Sequence, residues 1–179
     1  MGMFYDIRIF KGPTAEEFSA ALHRVAKRLN KAIRTVPVPN PKESKIKGIR
    51  TSTNNNVHSL FLEPISIQLE GELAKELKTT SMVLRLHDSD VWYYILYDGL
   101  LKLDEYCTYP ACFDDDDDFI KARRGKPAVL ARMWGLTLKS VKAFVRPHED
   151  SVSDVQDNFF EFMKFLGATE PIWVTYRLD

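Results

Sequence analysis

The stretch Ser81–Tyr106, "SMVLRLHDSDVWYYILYDGLLKLDEY", decides the fold class of this chain. It contains three apolar segments, Met82–Leu86, Val91–Tyr97 and Leu100–Tyr106, of which the middle one is rich in the aromatic and β-branched residues that strands favour. They are joined by the short "HDSD" and by the two-residue Asp98-Gly99, which suits the twist of a β-hairpin. We therefore predict an antiparallel three-stranded meander with the aromatic segment in the middle.

The central segment of this meander is apolar on both faces. Successive strand residues point to opposite faces. Both faces are apolar here: one carries Trp92, Tyr94 and Leu96, and the other carries Val91, Tyr93, Ile95 and Tyr97. Burial beneath helices on both faces is the simpler interpretation, and an aromatic surface left for a partner is the alternative. The last helix has a similar surplus, since Phe160 and Phe165 lie outside its apolar stripe. Tyr93, Phe160 and Phe165 are therefore candidate partner-binding residues.

Helices and further strands flank the meander. Period-two alternation predicts a strand over Phe4–Phe10, and "TAEE" places a capping box at Thr14, where a helix should begin. Leucines at fourfold spacing predict a short helix over Leu69–Leu77, while Pro127 and Gly135 fit the start and end of another. This order predicts an α+β fold: a mostly antiparallel sheet, a central meander, and helices packed on at least one face.

Between residues 35 and 58 the hydrophobic periodicity is lost. "VPVPNP" favours extended backbone, and "TSTNNN" is a polar cluster typical of turns. We predict a long loop here, with a short strand near Ile46–Arg50 as the alternative, because long structureless loops are uncommon in compact domains. The 179 residues are the size of one ordinary domain, so we predict a single domain over 1–179.

Composition and charge narrow the classes of function. The formal net charge is zero, with 13 Lys and Arg against 8 Asp and Glu in residues 1–80 and the opposite bias, 12 against 17, in residues 81–179. A neutral chain has no long-range attraction to nucleic acid, and the basic stretch Arg24–Arg50 has no aromatic residue for base stacking after Ala32. We therefore do not expect nucleic acid to be a partner.

The sequence contains no membrane-spanning segment, no signal-peptide pattern and no zinc-binding pattern. No apolar run reaches the length of a membrane span, and the N-terminus does not resemble a signal peptide, so we expect a cytoplasmic protein with no membrane association. The two cysteines, Cys107 and Cys112, have no second Cys or His pair to complete a zinc site. We expect two reduced thiols and no cofactor.

The run of five aspartates between Phe113 and Lys126 is the most unusual feature of the sequence. Carboxylates suit hard cations, but consecutive residues diverge and the run has no glycine to turn it around an ion. Mimicry of nucleic-acid phosphates needs a larger acidic face, and the bases of "KARRGK" follow at once. We therefore predict a solvated acidic loop over 113–126 that recognises a partner. Its candidate partner-binding residues are Asp114, Asp115, Asp116, Asp117 and Asp118.

The turn "HDSD" is the best candidate for chemistry. His87, Asp88 and Asp90 combine an imidazole with two carboxylates, a set that suits a divalent metal or acid–base catalysis. Asp and Ser are also the residues that a tight turn selects, and this structural interpretation is the simpler one. The sequence contains no H-E-x-x-H, G-x-S-x-G or G-x-x-x-x-G-K-[ST] motif to indicate a reaction. Whether the protein is an enzyme stays open at this point.

One resemblance can be stated. The stretch "VLRLHDSDVWYYILYDGLLKLDEYCTYPACF" resembles a hairpin of uncharacterised bacterial proteins, in which a His-Asp turn leads into an aromatic strand. The resemblance implies an α+β fold and no activity, and the aspartate run and the basic loop depart from it.

Two functions follow from these observations. The first is a protein-binding module, for example an immunity or inhibitor protein, that docks through the acidic loop and an aromatic surface. The alternative is a metal-assisted hydrolase that uses His87, Asp88 and Asp90, with Asp104 as a further ligand.

Overall fold

A computed structural model of the chain describes residues 5–31, 33–36, 48–63, 67–146, 155–168 and 174–178. The fold is α+β, as predicted. Within the described residues the strands are β1 (Tyr5–Lys11), β2 (Ile33–Val36), β3 (Gly48–Asn54), β4 (Val57–Glu63), β5 (Thr80–His87), β6 (Val91–Asp98), β7 (Leu101–Cys107) and β8 (Val174–Leu178). The helices are α1 (Ala15–Arg28), α2 (Ile67–Leu77), α3 (Asp117–Ala122), α4 (Pro127–Trp134), α5 (Leu138–Val141) and α6 (Val155–Phe165), with a 3-10 helix at Pro110–Cys112.

The strands form one sheet in the order β2-β8-β3-β4-β1-β5-β6-β7, and every neighbouring pair is antiparallel. The predicted meander is confirmed as β5-β6-β7 at one end of this sheet, with Leu84 paired to Tyr94 and Tyr94 to Tyr106. The turn lies one residue later than predicted, because Asp98 pairs with Leu101 and the two turn residues are Gly99 and Leu100. Gly99 has φ +57°, a backbone conformation that favours glycine.

The prediction of a long loop over 35–58 is wrong for the part that the structure describes. β3 and the first two residues of β4, Val57 and His58, lie in it, and the strands are joined by a two-residue turn at Asn55-Asn56 in which Asn55 has φ 54°. The alternative of a short strand near Ile46–Arg50 overlaps the start of β3. The rest of the strand was not predicted because its residues, "GIRTSTN", are mostly polar, so the alternation that identifies strands is absent. The segment forms a strand because its backbone pairs with β4, and the β-branched Thr51 and Thr53 favour the extended conformation. Residues 37–47 of the predicted loop lie outside the described residues.

Helices pack on both faces of the sheet. Phe10 and Leu60 form one apolar cluster with α1 and α2. The alternate residues of the same strands, including Ile9 and Phe61, form a larger cluster with α4, α5 and α6. Neighbouring residues of one strand thus enter different cores, and this decides which charged residues of β1 end up under a helix.

The first helix begins as predicted. The Thr14 side chain accepts a hydrogen bond from the backbone N–H of Glu17, and the Glu17 carboxylate accepts one from the backbone N–H of Thr14. The capping box stands where it was predicted, and it satisfies two of the backbone N–H donors that a helix start leaves unpaired.

On the other face of the sheet, Pro127 begins α4 and Gly135 ends it with φ 68°. Of the helices in the described residues, none combines the length and apolar character needed to cross a membrane.

Candidate functional site

One half of the sheet is incompletely covered on the face that carries α1 and α2. In the described residues, the apolar cluster beneath these two helices contains no residue of β5, β6 or β7. On β6 the buried Trp92 and Tyr94 face the opposite core, while Tyr93, Ile95 and Tyr97 are only half-buried. The central strand is therefore buried on its Trp92 side and partly open on its Tyr93 side.

An exposed phenylalanine lies at the edge of this open face. The 3-10 helix at Pro110–Cys112 reverses the chain after β7 and delivers Phe113, whose side chain is 47% exposed. The Phe113 ring lies 6.1 Å from the ring of Tyr93 and 5.7 Å from that of His87, edge to face in both cases. Sequence analysis did not select Phe113, although an aromatic residue directly before a polar run was visible there.

The aspartate run begins at the next residue and is only partly a loop. Asp116 is the N-cap of α3, because its carboxylate accepts from the backbone N–H groups of Asp118 and Phe119. Asp114 accepts from the N–H of Asp116 and fixes the entry to this cap. The predicted loop over 113–126 therefore contains a helix, but all five aspartates are exposed. Asp117 and Asp118 also lie in the first helical turn, where negative charge is favoured.

The His87–Asp90 turn has the geometry of a tight hairpin. Asp88 and Ser89 adopt φ 52° and 64°, and the N–H of Asp90 donates to the carbonyl of His87. Asp tolerates this left-handed backbone better than most residues, which accounts for its presence here. Among the described residues, no three His, Cys, Asp or Glu side chains come together to hold a metal. The proposed fourth ligand, Asp104, is buried and accepts from Tyr94 and from the N–H of Lys126.

Phe160 and Phe165, by contrast, do not share a surface with Tyr93. They lie on α6, which packs on the opposite face of the sheet. Phe160 contacts Tyr5 edge to face at 5.5 Å, and Phe165 stacks on Phe144 at 4.9 Å. Both are half-buried at the margin of the core, so the surplus of aromatic residues on α6 serves packing.

A chain of charged residues crosses the partly open face. Asp6 Oδ2 lies 2.6 Å from Arg85 Nε, and Arg85 Nη1 donates to the Tyr93 hydroxyl at 3.2 Å. Burial raises the pKa of Asp6 despite the neighbouring guanidinium. This ion pair fixes Arg85 beneath Tyr93 and so supports the ring that contacts Phe113.

A second ion pair lies deeper on the same face. Arg8 and Glu70 are each only 7% exposed, with Arg8 Nη1 3.8 Å from Glu70 Oε2. Burial raises the pKa of Glu70 to about 6, although Arg8 acts in the opposite direction. Sequence analysis did not select these two residues. The only signal was that Arg8 shares its strand face with the apolar Phe10.

A groove of about 710 Å³ lies elsewhere, between the start of α1 and the end of α2. Several of its charged groups are already engaged: Glu76 is held by Arg24 and Arg28 at 2.7 Å each, and Glu17 belongs to the capping box with Thr14. These pairs also engage two of the bases in the Arg24–Arg50 stretch.

No protein-family model, no curated protein and no solved structure matches this chain at a significant level. The resemblance to uncharacterised bacterial proteins therefore stays a prediction, and a function can be argued only from the chain's own geometry.

Proposed function

We propose that this chain is a cytoplasmic protein-binding module of the immunity or inhibitor type. It docks a basic partner protein through His87, Tyr93, Phe113 and Asp114–Asp118, which we call the acidic–aromatic surface. The observation that carries the proposal is the packing of the exposed Phe113 against both His87 and Tyr93, directly before five exposed carboxylates.

The chemistry of this surface favours a protein over other partners. An exposed aromatic ring provides an anchor of the kind that dominates protein interfaces, and charged residues around it set the association rate. The contact with His87 brings the turn that holds Asp88 and Asp90 beside the start of the aspartate run. Negative charge is thus concentrated around Phe113, which favours a partner with a basic rim and an apolar centre.

The alternative of a metal-assisted hydrolase gains no supporting observation. Its residues His87, Asp88 and Asp90 form a tight turn, and Asp104 is engaged by Tyr94 and Lys126. The location is supported by Cys112, an exposed free thiol of the kind that persists in a reducing compartment.

Site-specific photo-crosslinking in the organism that encodes the chain tests the proposal. A photoreactive phenylalanine analogue is placed at Phe113 and, as the matched control, at Leu138, which is 42% exposed on the helix α5. Because α5 packs on the opposite face, the control position samples a different surface. We expect a basic protein to be crosslinked from position 113 and not from position 138.

Kinetics with the purified partner then test the two parts of the surface separately. Replacing Asp115, Asp117 and Asp118 with Ser should slow association at low salt by about tenfold and flatten its salt dependence. Phe113→Ala should accelerate dissociation instead, since it removes the aromatic anchor that the partner would bury. Unchanged rates in both variants, or equal crosslinking from positions 113 and 138, would refute the proposal.

A further inference from the structure

The guanidinium of Arg8 is buried with one donor unused. Nη2 donates to the Ser81 hydroxyl at 3.1 Å and Nη1 faces Glu70, but the buried Nε meets no hydrogen-bond acceptor among the described residues. A buried, unsatisfied N–H on a charged group is costly, and native structures rarely retain one without a reason.

The ion pair with Glu70 does not compensate Arg8 fully. The separation of 3.8 Å between Nη1 and Oε2 is longer than a charge-assisted hydrogen bond, which is typically about 2.7–2.9 Å. Two rings flank the guanidinium, with its Cζ 5.5 Å from the centroid of Phe10 and 5.2 Å from that of Tyr97. Both distances are those of cation–π contacts, which do not satisfy the Nε–H donor.

We propose that Arg8 binds the carboxylate group of a small ligand on the partly open face of the sheet. A carboxylate presents two oxygens that match Nε and a terminal nitrogen of the guanidinium in parallel. A single negative charge fits better than a dianionic phosphate, because Glu70 and Asp6 already provide negative charge nearby. The ligand enters beside Tyr97, which is half-buried, since Phe10 on the other side is fully buried.

Binding is linked to the protonation of Glu70. The groups that face Glu70 are Arg8 and Asp6 on β1, Arg85 on β5 and Tyr97 beyond Arg8 on β6. When Glu70 takes up a proton, Arg8 loses its counter-charge and a ligand carboxylate replaces it. The affinity for a carboxylate should therefore increase as the pH falls through about 6, the pKa of Glu70.

Acetate is the probe for the experiment, with sodium chloride at equal ionic strength as the reference. Titration of the ¹⁵N-labelled protein with acetate should shift the Nε–Hε signal of one arginine, and the shift should saturate. The same signal should be absent from the spectrum of Arg8→Lys, which assigns it to Arg8. The affinity should be about tenfold higher at pH 5.5 than at pH 7.5. Arg8→Lys keeps the positive charge beside Glu70 but lacks the planar fork, so it should bind at least about tenfold more weakly.

Arg24→Lys is the matched control, because Arg24 also pairs with a glutamate but lies at the surface. It should leave acetate binding unchanged. Failure of the wild-type titration to saturate, equal binding by Arg8→Lys, or an affinity that does not depend on pH would each overturn the proposal. The wild-type titration decides the matter even if Arg8→Lys does not fold. The test does not involve the acidic–aromatic surface, so its failure would leave the proposed docking function unaffected.

Discussion

The imidazole of His87 and the ring of Phe113 meet edge to face, with their centroids 5.7 Å apart. This contact joins the end of β5 to the chain that follows β7, two segments separated by the whole β6–β7 hairpin. It places the two acidic features of the sequence, the His87–Asp90 turn and the aspartate run, on one side of the molecule. The acidic–aromatic surface exists because of this contact.

The aspartates of the run should differ in their effect on stability. Asp116→Ala removes the N-cap of α3 and should lower the free energy of unfolding by about 1 kcal/mol. Asp115→Ala should change it by less than about 0.5 kcal/mol, since Asp115 is exposed. Urea unfolding of the two variants measures both values. Equal destabilisation would show that the capping hydrogen bonds do not form.

Two glycines with positive φ should respond very differently to alanine. At Gly125 (φ +73°) a Cβ would lie 2.7 Å from Val145 Cγ1 and 3.1 Å from Tyr106, so Gly125→Ala should cost about 3 kcal/mol or more. At Gly99 (φ +57°) no atom lies within 4 Å of the added Cβ, so Gly99→Ala should cost only the backbone strain, about 1 kcal/mol. Thermal unfolding ranks the pair, and the reverse order would contradict the packing of Gly125 against Tyr106 and Val145.

The hydroxyls of two adjacent tyrosines should also be unequal. Tyr94 donates to the buried Asp104 at 2.8 Å, so Tyr94→Phe leaves that carboxylate short of a partner and should destabilise by about 2 kcal/mol. Tyr93→Phe is the matched control, because its hydroxyl accepts from Arg85 on the partly open face, where water can replace it. We expect less than about 1 kcal/mol there. Chemical denaturation compares the two, and similar losses would mean that Asp104 keeps its full set of partners without Tyr94.

Glu70 should impose a pH dependence on stability. Its pKa rises from 4.5 to about 6 on folding, so the folded state binds the proton more tightly than the unfolded state. The contribution of Glu70 is therefore fully present below about pH 4.5 and is lost as the pH rises through about 6, an effect of about 2 kcal/mol. The burial of Asp6 acts in the same direction. The buried His58 acts in the opposite one, because desolvation lowers its pKa and stability is then lost as the pH falls below 6.5.

The difference between wild type and Glu70→Gln isolates this contribution, since Asp6 and His58 are common to both proteins. The free energy of unfolding, measured from pH 4.5 to 7.5, should fall for wild type relative to the variant as the pH increases. A constant difference across this range would mean that Glu70 does not titrate there.

Local features of the sequence were sufficient to predict much of the fold. Asp98-Gly99 predicted the hairpin to within one residue, because the left-handed backbone of the Gly99-Leu100 turn favours glycine at its first position. Thr14 and Glu17 predicted a helix start through hydrogen bonds within four residues. Both interactions are complete within a few neighbouring residues. By contrast, β3 carries mostly polar residues without hydrophobic alternation. It is a strand because its backbone pairs with β4 and β8, and this pairing depends on distant parts of the chain.

The candidate sites depended on tertiary structure. The sequence determined that five aspartates are consecutive and that Arg8 shares a strand face with Phe10. Only the folded chain decided that Phe113 reaches His87 and Tyr93, that Phe160 and Phe165 pack on the other side of the sheet, and that Glu70 lies over Arg8. The physical reason is that alternation along a strand assigns a residue to a face, whereas the helix or loop that covers that face comes from a distant part of the chain.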